Sequence, residues 1–358
     1  MTAADFASYR LQSQQIAKTT MTSPAEVVAR LGAMQAQDYN AALWAVALRV
    51  PGATSADVEQ AIIDRQIIRT WPMRGTLHFV APQDVRWMLQ LLTPRVVAGS
   101  TSRQRNLDLD EAVFGHSYEV IAKQLQGGKI LTRQAVFEAL DTANISTAGQ
   151  RGYHILWQAA QSGLICLGPV QNKQQTVVLL DEWVPPTPAV SREEALAEIT
   201  RRYFTSHGPA TQHDMMWWSG LTATDVKAGL EMVKSELAQE VVAGKTYWLA
   251  RDTVVTARTR PAVDLLPGFD EYLLGYRDRD AVLAPQHAQA VCPGNNGMFM
   301  PMLVVDGQIV GTWKRTLKKT TVQIELRPFA PLSAATRAAA ALAADRYATH
   351  LGLTAVIQ

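Results

Sequence analysis

Residues 67–80 read IIRTWPMRGTLHFV, two runs of β-branched and aromatic residues broken by Pro-Met-Arg-Gly. That pattern predicts two strands joined by a tight turn. An isolated hairpin is at best marginal in water, so helices must cover one of its faces. The chain supplies them upstream. TSPAEVVARLGAMQ (22–35) offers Ser23 as a cap, Pro24 in the first turn and Glu26 to complete a capping box, with Val27, Leu31 and Met34 on one face. FASYRLQSQQIA (6–17) and TSADVEQAIIDR (54–65) read as flanking helices, the second capped by Ser55.

Helices followed by a β-hairpin are the element order of a winged helix, and the order recurs. LTRQAVFEALDTA and TAGQRGYHILWQAAQSG, the latter closed by Gly163, precede a hairpin of LICLGPV and TVVLLDEW around QNKQQ. After the linker PPTPAVS, three helices (REEALAEITRRYF, TQHDMMWWSG, TATDVKAGLEMVKSEL) precede EVVAG and TYWLA. From about Ala262 the chain turns β-rich. VVDGQIVG is an Asp-Gly hairpin signal, and a last helix runs from Ser333 to Gly352. The expected fold is α+β: three tandem winged-helix units (1–108, 109–187, 188–258) and a C-terminal β-barrel-like domain with a terminal helix (259–358). The units share an order of elements but little sequence, which excludes a short-period solenoid.

The chain has 358 residues, room for two to four such units. No apolar run reaches the roughly 18 residues of a spanning helix, and the start lacks a basic stretch followed by an apolar one. A cytoplasmic, nucleoid-associated monomer without membrane or obligate protein partners is expected. Cys166 and Cys292 are the only cysteines, too few for a disulfide framework or a thiolate zinc site. His207 and His213 have no third ligand near them in sequence, and no phosphate-cradling loop appears, so neither metal nor cofactor is expected.

Net charge is only +2, but its distribution is uneven. Seven arginines against one acid, Asp84, lie between Arg65 and Leu107. Lys314, Arg315, Lys318 and Lys319 lie in an acid-free stretch, 307–324. Such segregation can form a basic face for phosphates, or ordinary surface charge. In the first hairpin, Arg69, Trp71, Arg74, Thr76 and His78 are the candidate DNA contacts, with Arg74 at the turn able to reach a phosphate or a groove. The same residues also fit a hairpin with Trp71 in the core, Arg74 solvated and His78 a buried, hydrogen-bonded histidine. TWKRTLKKTT reads as a phosphate-contacting strand or as an edge strand guarded by lysines. GFDEYLLGYRDR suggests an internal salt bridge of Asp270 with Arg277 or Arg279, and Trp217 and Trp218 read as core.

Gln35 and Gln37 sit two apart where a helix runs out near Met34 or Gln35. In an extended segment their side chains share a face. Uncharged amides there could hold one water and turn carbonyl oxygens toward a developing cation, or serve only as caps or a satisfied polar pair. Spacing alone favours the second reading.

Four stretches in order, LGAMQAQDYNAALWAVALR, RTWPMRGTLHFV, LLPGFDEYLLGYRDR and LVVDGQIVGTWKR, together resemble the bacterial tandem winged-helix DNA-binding family, the AlkZ-like interstrand-crosslink DNA glycosylases. The resemblance spans about 10 to 330. It implies three winged helices around a concave surface plus a β-barrel. It also implies a catalytic Gln-x-Gln signature, matched here by Gln35-Ala36-Gln37, with Ala36 where the family usually has a bulkier aliphatic residue. The implied activity is a monofunctional DNA glycosylase that hydrolyses the N-glycosidic bond of N7-alkylated purines or crosslinked guanines, with double-stranded DNA carrying alkylated bases as partner. The alternative is a non-enzymatic winged-helix DNA-binding protein, a transcription regulator or damage sensor.

Overall fold

The hairpin expected at 67–80 forms between Ile68–Met73 and Thr76–Val80 in a computed structural model that describes residues 2–255, 258–295 and 297–358. Arg74 and Gly75 both have positive φ, 54° and 70°, which matches the twist of a two-residue hairpin turn. The register shifts between Thr70 and Met73, where Pro72 has no N–H to give a ladder. The described residues are α+β and divide into two compact units: the chain up to Val58 with Leu196–Gln358, and Glu59–Ala195.

Within Glu59–Ala195 the first two hairpins are not separate. Arg69 pairs with Leu167, which joins them in one sheet ordered Thr76–Val80, Ile68–Met73, Ile165–Leu167, Thr176–Leu179, Leu131–Thr132. The sequence predicts two independent hairpins; pairing satisfies the backbone groups that two open edges would leave bare. Helices Glu111–Leu125, Arg133–Thr142 and Arg151–Gln161 pack here, in a core that includes Trp71, Leu77, Ile121, Leu140, Ile155 and Val177. Helices Val85–Gly99 and Thr101–Asn106 follow the first hairpin. Val85–Gly99 contains Pro94 and buries Val85, Trp87, Met88, Leu89, Leu91 and Leu92, so it shows no narrow apolar stripe.

In the other unit, helix Pro24–Leu31 starts as its sequence predicts, with Ser23 Oγ accepting the Glu26 N–H. It stops earlier than expected. Gly32, at φ 81°, ends it and sends the chain into the short strand Ala33–Gln35. A helix the sequence reading missed, Tyr39–Ala47, follows. Residues Ala41 to Ala47 are all buried, so no polar face marks a helical period. The third round of elements is present as Arg192–His207, Gln212–Ser219, Ala223–Val233 and the hairpin Leu237–Val242/Lys245–Ala250. The C-terminal part is a five-stranded sheet ordered Thr354–Ile357, Thr321–Pro328, Gln308–Leu317, Met302–Val305, Val263–Leu266, with helix Ala334–His350 packed on it. The Asp-Gly turn is there, Asp306 and Gly307 both at positive φ.

Two indoles fasten this unit. Trp44 donates to the Leu265 carbonyl (2.7 Å) and Trp313 to that of Leu266 (2.8 Å), and both rings meet Tyr347 edge-on. Beneath them Arg49 and Asp270 form a fully buried ion pair. All five guanidinium N–H donors are used: two reach Asp270 at 2.9 Å, and the others the carbonyls of Gln14 and Ala45 and the Gln14 side chain. The expected partner of Asp270 was Arg277 or Arg279, by proximity in sequence; folding instead brings it a residue 221 positions away. No helix among the described residues is long and apolar enough to cross a membrane.

Removing one member of a buried pair strands the other charge, at a cost of about 3–5 kcal/mol. Arg49→Met and Asp270→Asn are each expected to lower stability to urea by that order. A change below about 1 kcal/mol for both would contradict the role given to the pair.

Candidate active site

The site begins at Gly32. Its positive φ converts a helix into an extended segment within one residue, so Gln35 ends a strand, and Gln37 follows that strand rather than a helix. The backbone N–H of Gln35 donates to Glu271 Oε1 at 3.1 Å. Gln35 itself is buried, and its Oε1 accepts the backbone N–H of Gln37 at 3.0 Å. Since a backbone N–H can only donate, this contact fixes which end of the Gln35 amide is oxygen. Gln37 is exposed, and Asp38 next to it caps helix Tyr39–Ala47 by accepting the Ala41 N–H. The two glutamines are thus unlike: one buried and positioned by the backbone, the other at the surface one hydrogen bond away.

Glu271, which the sequence reading did not single out, supports this arrangement. It is almost completely buried, and its second oxygen accepts from the Trp218 indole at 3.0 Å and lies 3.5 Å from His207 Nε2. Burial pushes the His207 pKa down even though Glu271 opposes it, and His207 Nδ1 lies 2.8 Å from the Ser206 hydroxyl. An acid with no basic neighbour in sequence, amid Tyr and Leu, was the available signal. Trp218 is core, as expected. Trp217 is not: its ring is partly exposed, with Arg277 and Arg279 guanidinium groups each 5.4 Å from its centre.

The basic hairpin Gln308–Leu317/Thr321–Pro328 belongs to the same unit as the glutamines. Lys314, Lys318 and Lys319 are exposed, the last two at its turn, and Arg315 is half-buried and donates to the Tyr347 hydroxyl. The other candidates lie in the unit Glu59–Ala195. There Arg69, Trp71 and His78 are buried, Trp71 within the core, while Arg74 and Thr76 keep some exposure at the turn. His78 Nδ1 donates to the Thr76 carbonyl at 2.9 Å and Nε2 faces Arg74 at 3.3 Å. Burial first, and the Arg74 charge second, depress its pKa to about 3, so the ring is neutral.

Residues 28–350 match the AlkZ-like DNA glycosylases, and the chain belongs to that family. The resemblance drawn from the four motifs is thereby confirmed. Among curated proteins, an interstrand DNA cross-link repair glycosylase of Streptomyces sahachiroi is 30% identical over 333 residues, which cover 86% of each chain. The solved structure of the Streptomyces sahachiroi DNA glycosylase AlkZ superimposes with a TM-score of 0.81 over the full length of both chains, at 24% identity, a likeness of fold.

The His78 geometry has a consequence for stability. The folded pKa of about 3 lies below the unfolded value near 6.5. Between those values the unfolded chain takes up a proton that the folded chain refuses, so stability falls as pH drops through that window. From pH 7 to pH 5 the contribution is about 2 kcal/mol. His78→Asn, read by urea unfolding at both pH values, is expected to lose that much of the acid sensitivity; an unchanged difference would refute it.

Proposed function

We propose that this chain hydrolyses the N-glycosidic bond of N7-alkylated purines or crosslinked guanines in duplex DNA, with Gln35 and Gln37 as its catalytic residues. The observation that carries the reading is the hydrogen bond from the Gln37 backbone to the Gln35 carboxamide, on a strand held by Glu271. It ties the Gln35 carboxamide to the backbone of Gln37.

The chemistry asks for little else. A guanine alkylated at N7 is cationic, so the electron pair of the breaking C1′–N9 bond neutralises a charge already present. The base leaves without a general acid. What remains is an oxocarbenium-like sugar, a water beneath its anomeric carbon, and fixed dipoles to stabilise both. Gln37, which is exposed, accepts a hydrogen bond from that water. Gln35 orients it and stabilises the developing cation. After attack the water's proton passes to solvent. No cofactor takes part in this scheme, and the products are a free base and an abasic site.

The element order supports three winged-helix units, each presenting helices and a hairpin to the duplex. The exposed lysines 314, 318 and 319 and Arg315 contact phosphates, as do Arg74 and Thr76 at the first turn. Arg69, Trp71 and His78, being buried, shape that hairpin from inside. The relative's name, a cross-link repair glycosylase, favours bulky lesions as substrates. A cytoplasmic location at the nucleoid goes with such a substrate.

The test uses a duplex with one N7-methylguanine beside a duplex with a defined guanine–guanine crosslink, both scored for abasic sites. The natural chain is expected to produce them. Gln37→Ala and Gln35→Ala are each expected to lose about 10²–10³ in rate, the usual cost of a pre-organised dipole in an active site. Full activity in both variants would reject the assignment.

A further inference from the structure

Helix Gln212–Ser219 carries two adjacent tryptophans. Successive residues of a helix point about 100° apart, so the two rings meet different surroundings. Trp218 is fully buried and holds Glu271, whereas Trp217 is 37% exposed. Exposure does not serve the polar edge of Trp217, because its indole N–H already donates to the Leu274 carbonyl at 3.0 Å. What it shows to solvent is therefore π surface, on a helix face shared with exposed His213 one turn earlier.

Two cations stand at the rim of this ring. The guanidinium carbons of Arg277 and Arg279 are each 5.4 Å from its centre, whereas that of Arg10 closes on Tyr276 at 3.7 Å, so neither seals the indole. Arg279 is committed to the protein: its Nε donates to the Leu273 carbonyl at 3.2 Å, and it lies 4.8 Å from the centre of Phe299. Arg277 is exposed, and among the described residues its guanidinium has no hydrogen-bond or ion-pair partner. Asp278, between the two, is paired with Lys245 at 2.5 Å. With Asp280 included, three cations stand against two carboxylates here.

The anchor of Trp217 ties it to the candidate active site. Glu271 and Leu274 are the two ends of one helical turn, about 4.5 Å apart along its axis. Glu271 holds the Gln35 N–H and Leu274 holds the Trp217 indole. Strand and indole thus hang from the same turn, within a few base steps of roughly 3.4 Å each. An intact duplex offers such an indole nothing, because its bases are stacked on one another. Unstacking costs least where a base has lost its partner or is damaged. A base released there can lie on an aromatic face whatever its identity, and its phosphate can accept a charge-assisted hydrogen bond from an arginine.

We propose that Trp217 is a stacking platform for an undamaged nucleobase that leaves the helix beside the lesion, and that Arg277 takes the phosphate of that nucleotide. The proposal deepens the glycosylase reading above and rests on it for the place of the lesion; the binding is measured without the reaction.

The full chain is titrated with two labelled duplexes, neither containing an alkylated base, and read by fluorescence anisotropy. One duplex is intact; the other has a central tetrahydrofuran abasic-site analogue, which leaves the opposite base without a partner. The natural chain is expected to bind the second at least tenfold more tightly. Trp217→Leu, which keeps apolar bulk but no π face, is expected to lose about tenfold of that preference, and Trp217→Phe to keep most of it. Arg277→Gln is expected to weaken both duplexes alike and to lower the salt slope by about one. Equal affinity of the natural chain for the two duplexes, a preference that survives Trp217→Leu, or a Trp217→Phe variant as impaired as Trp217→Leu would overturn the platform. An unchanged salt slope in Arg277→Gln would overturn the phosphate contact. Base release from an alkylated duplex, measured in parallel, separates the two ideas: preference without release supports the platform and rejects the reaction, whereas release without preference does the reverse.

Discussion

A single buried carboxylate, Glu271, holds the strand on which the candidate chemistry stands. It accepts the backbone N–H of Gln35 with one oxygen and the Trp218 indole with the other, so it joins the Gln-Ala-Gln segment to the helix that carries Trp218. Its neighbour Asp270 is spent on Arg49, whose other donors reach back to Gln14 and Ala45. The short stretch from Phe269 to Tyr276 therefore acts as a buried polar clasp. It draws together the first helix, the glutamine strand and the helices of the third round within one unit. Such a clasp is costly to desolvate and worth having only when every partner is in place. In return it holds the candidate segment to a fixed geometry, which a catalytic dipole requires.

In the proposed reaction, neutral amides held this rigidly suffice. A carboxylate base would be favoured by a neutral leaving group that must be forced out. In the reaction proposed for this chain the damaged base carries its own charge, and the remaining barrier is met by placement of a water and by dipoles that need no reorganisation. The unlike environments of the two glutamines fit such a division: Gln35 is buried and oriented by the backbone, and Gln37 is exposed.

How much of this was legible in the sequence depended on range. Local chemistry read well: Ser23-Pro24 opening a helix, Arg74-Gly75 and Asp306-Gly307 turning hairpins, and Ser333 opening the last helix before Gly352. Patterns failed where burial erased periodicity, as in Tyr39–Ala47, or where pairing was non-local, as when Arg69 met Leu167. The fully buried Arg49–Asp270 pair and the Glu271 contact join residues more than 200 positions apart, and no spacing rule reaches that far. Spacing alone left the glutamines as caps or a polar pair. Only the four motifs taken together pointed to chemistry, and even they did not expose the carboxylate beneath.

The central claim is that Gln35 and Gln37 act on one water as a unit. A double-mutant cycle on single-turnover release of N7-methylguanine tests it most directly. If both amides serve the same molecule, Gln35→Ala with Gln37→Ala is expected to be no slower than the worse single variant. Losses that multiply across the two substitutions would mean that the amides work independently, and the account would fail.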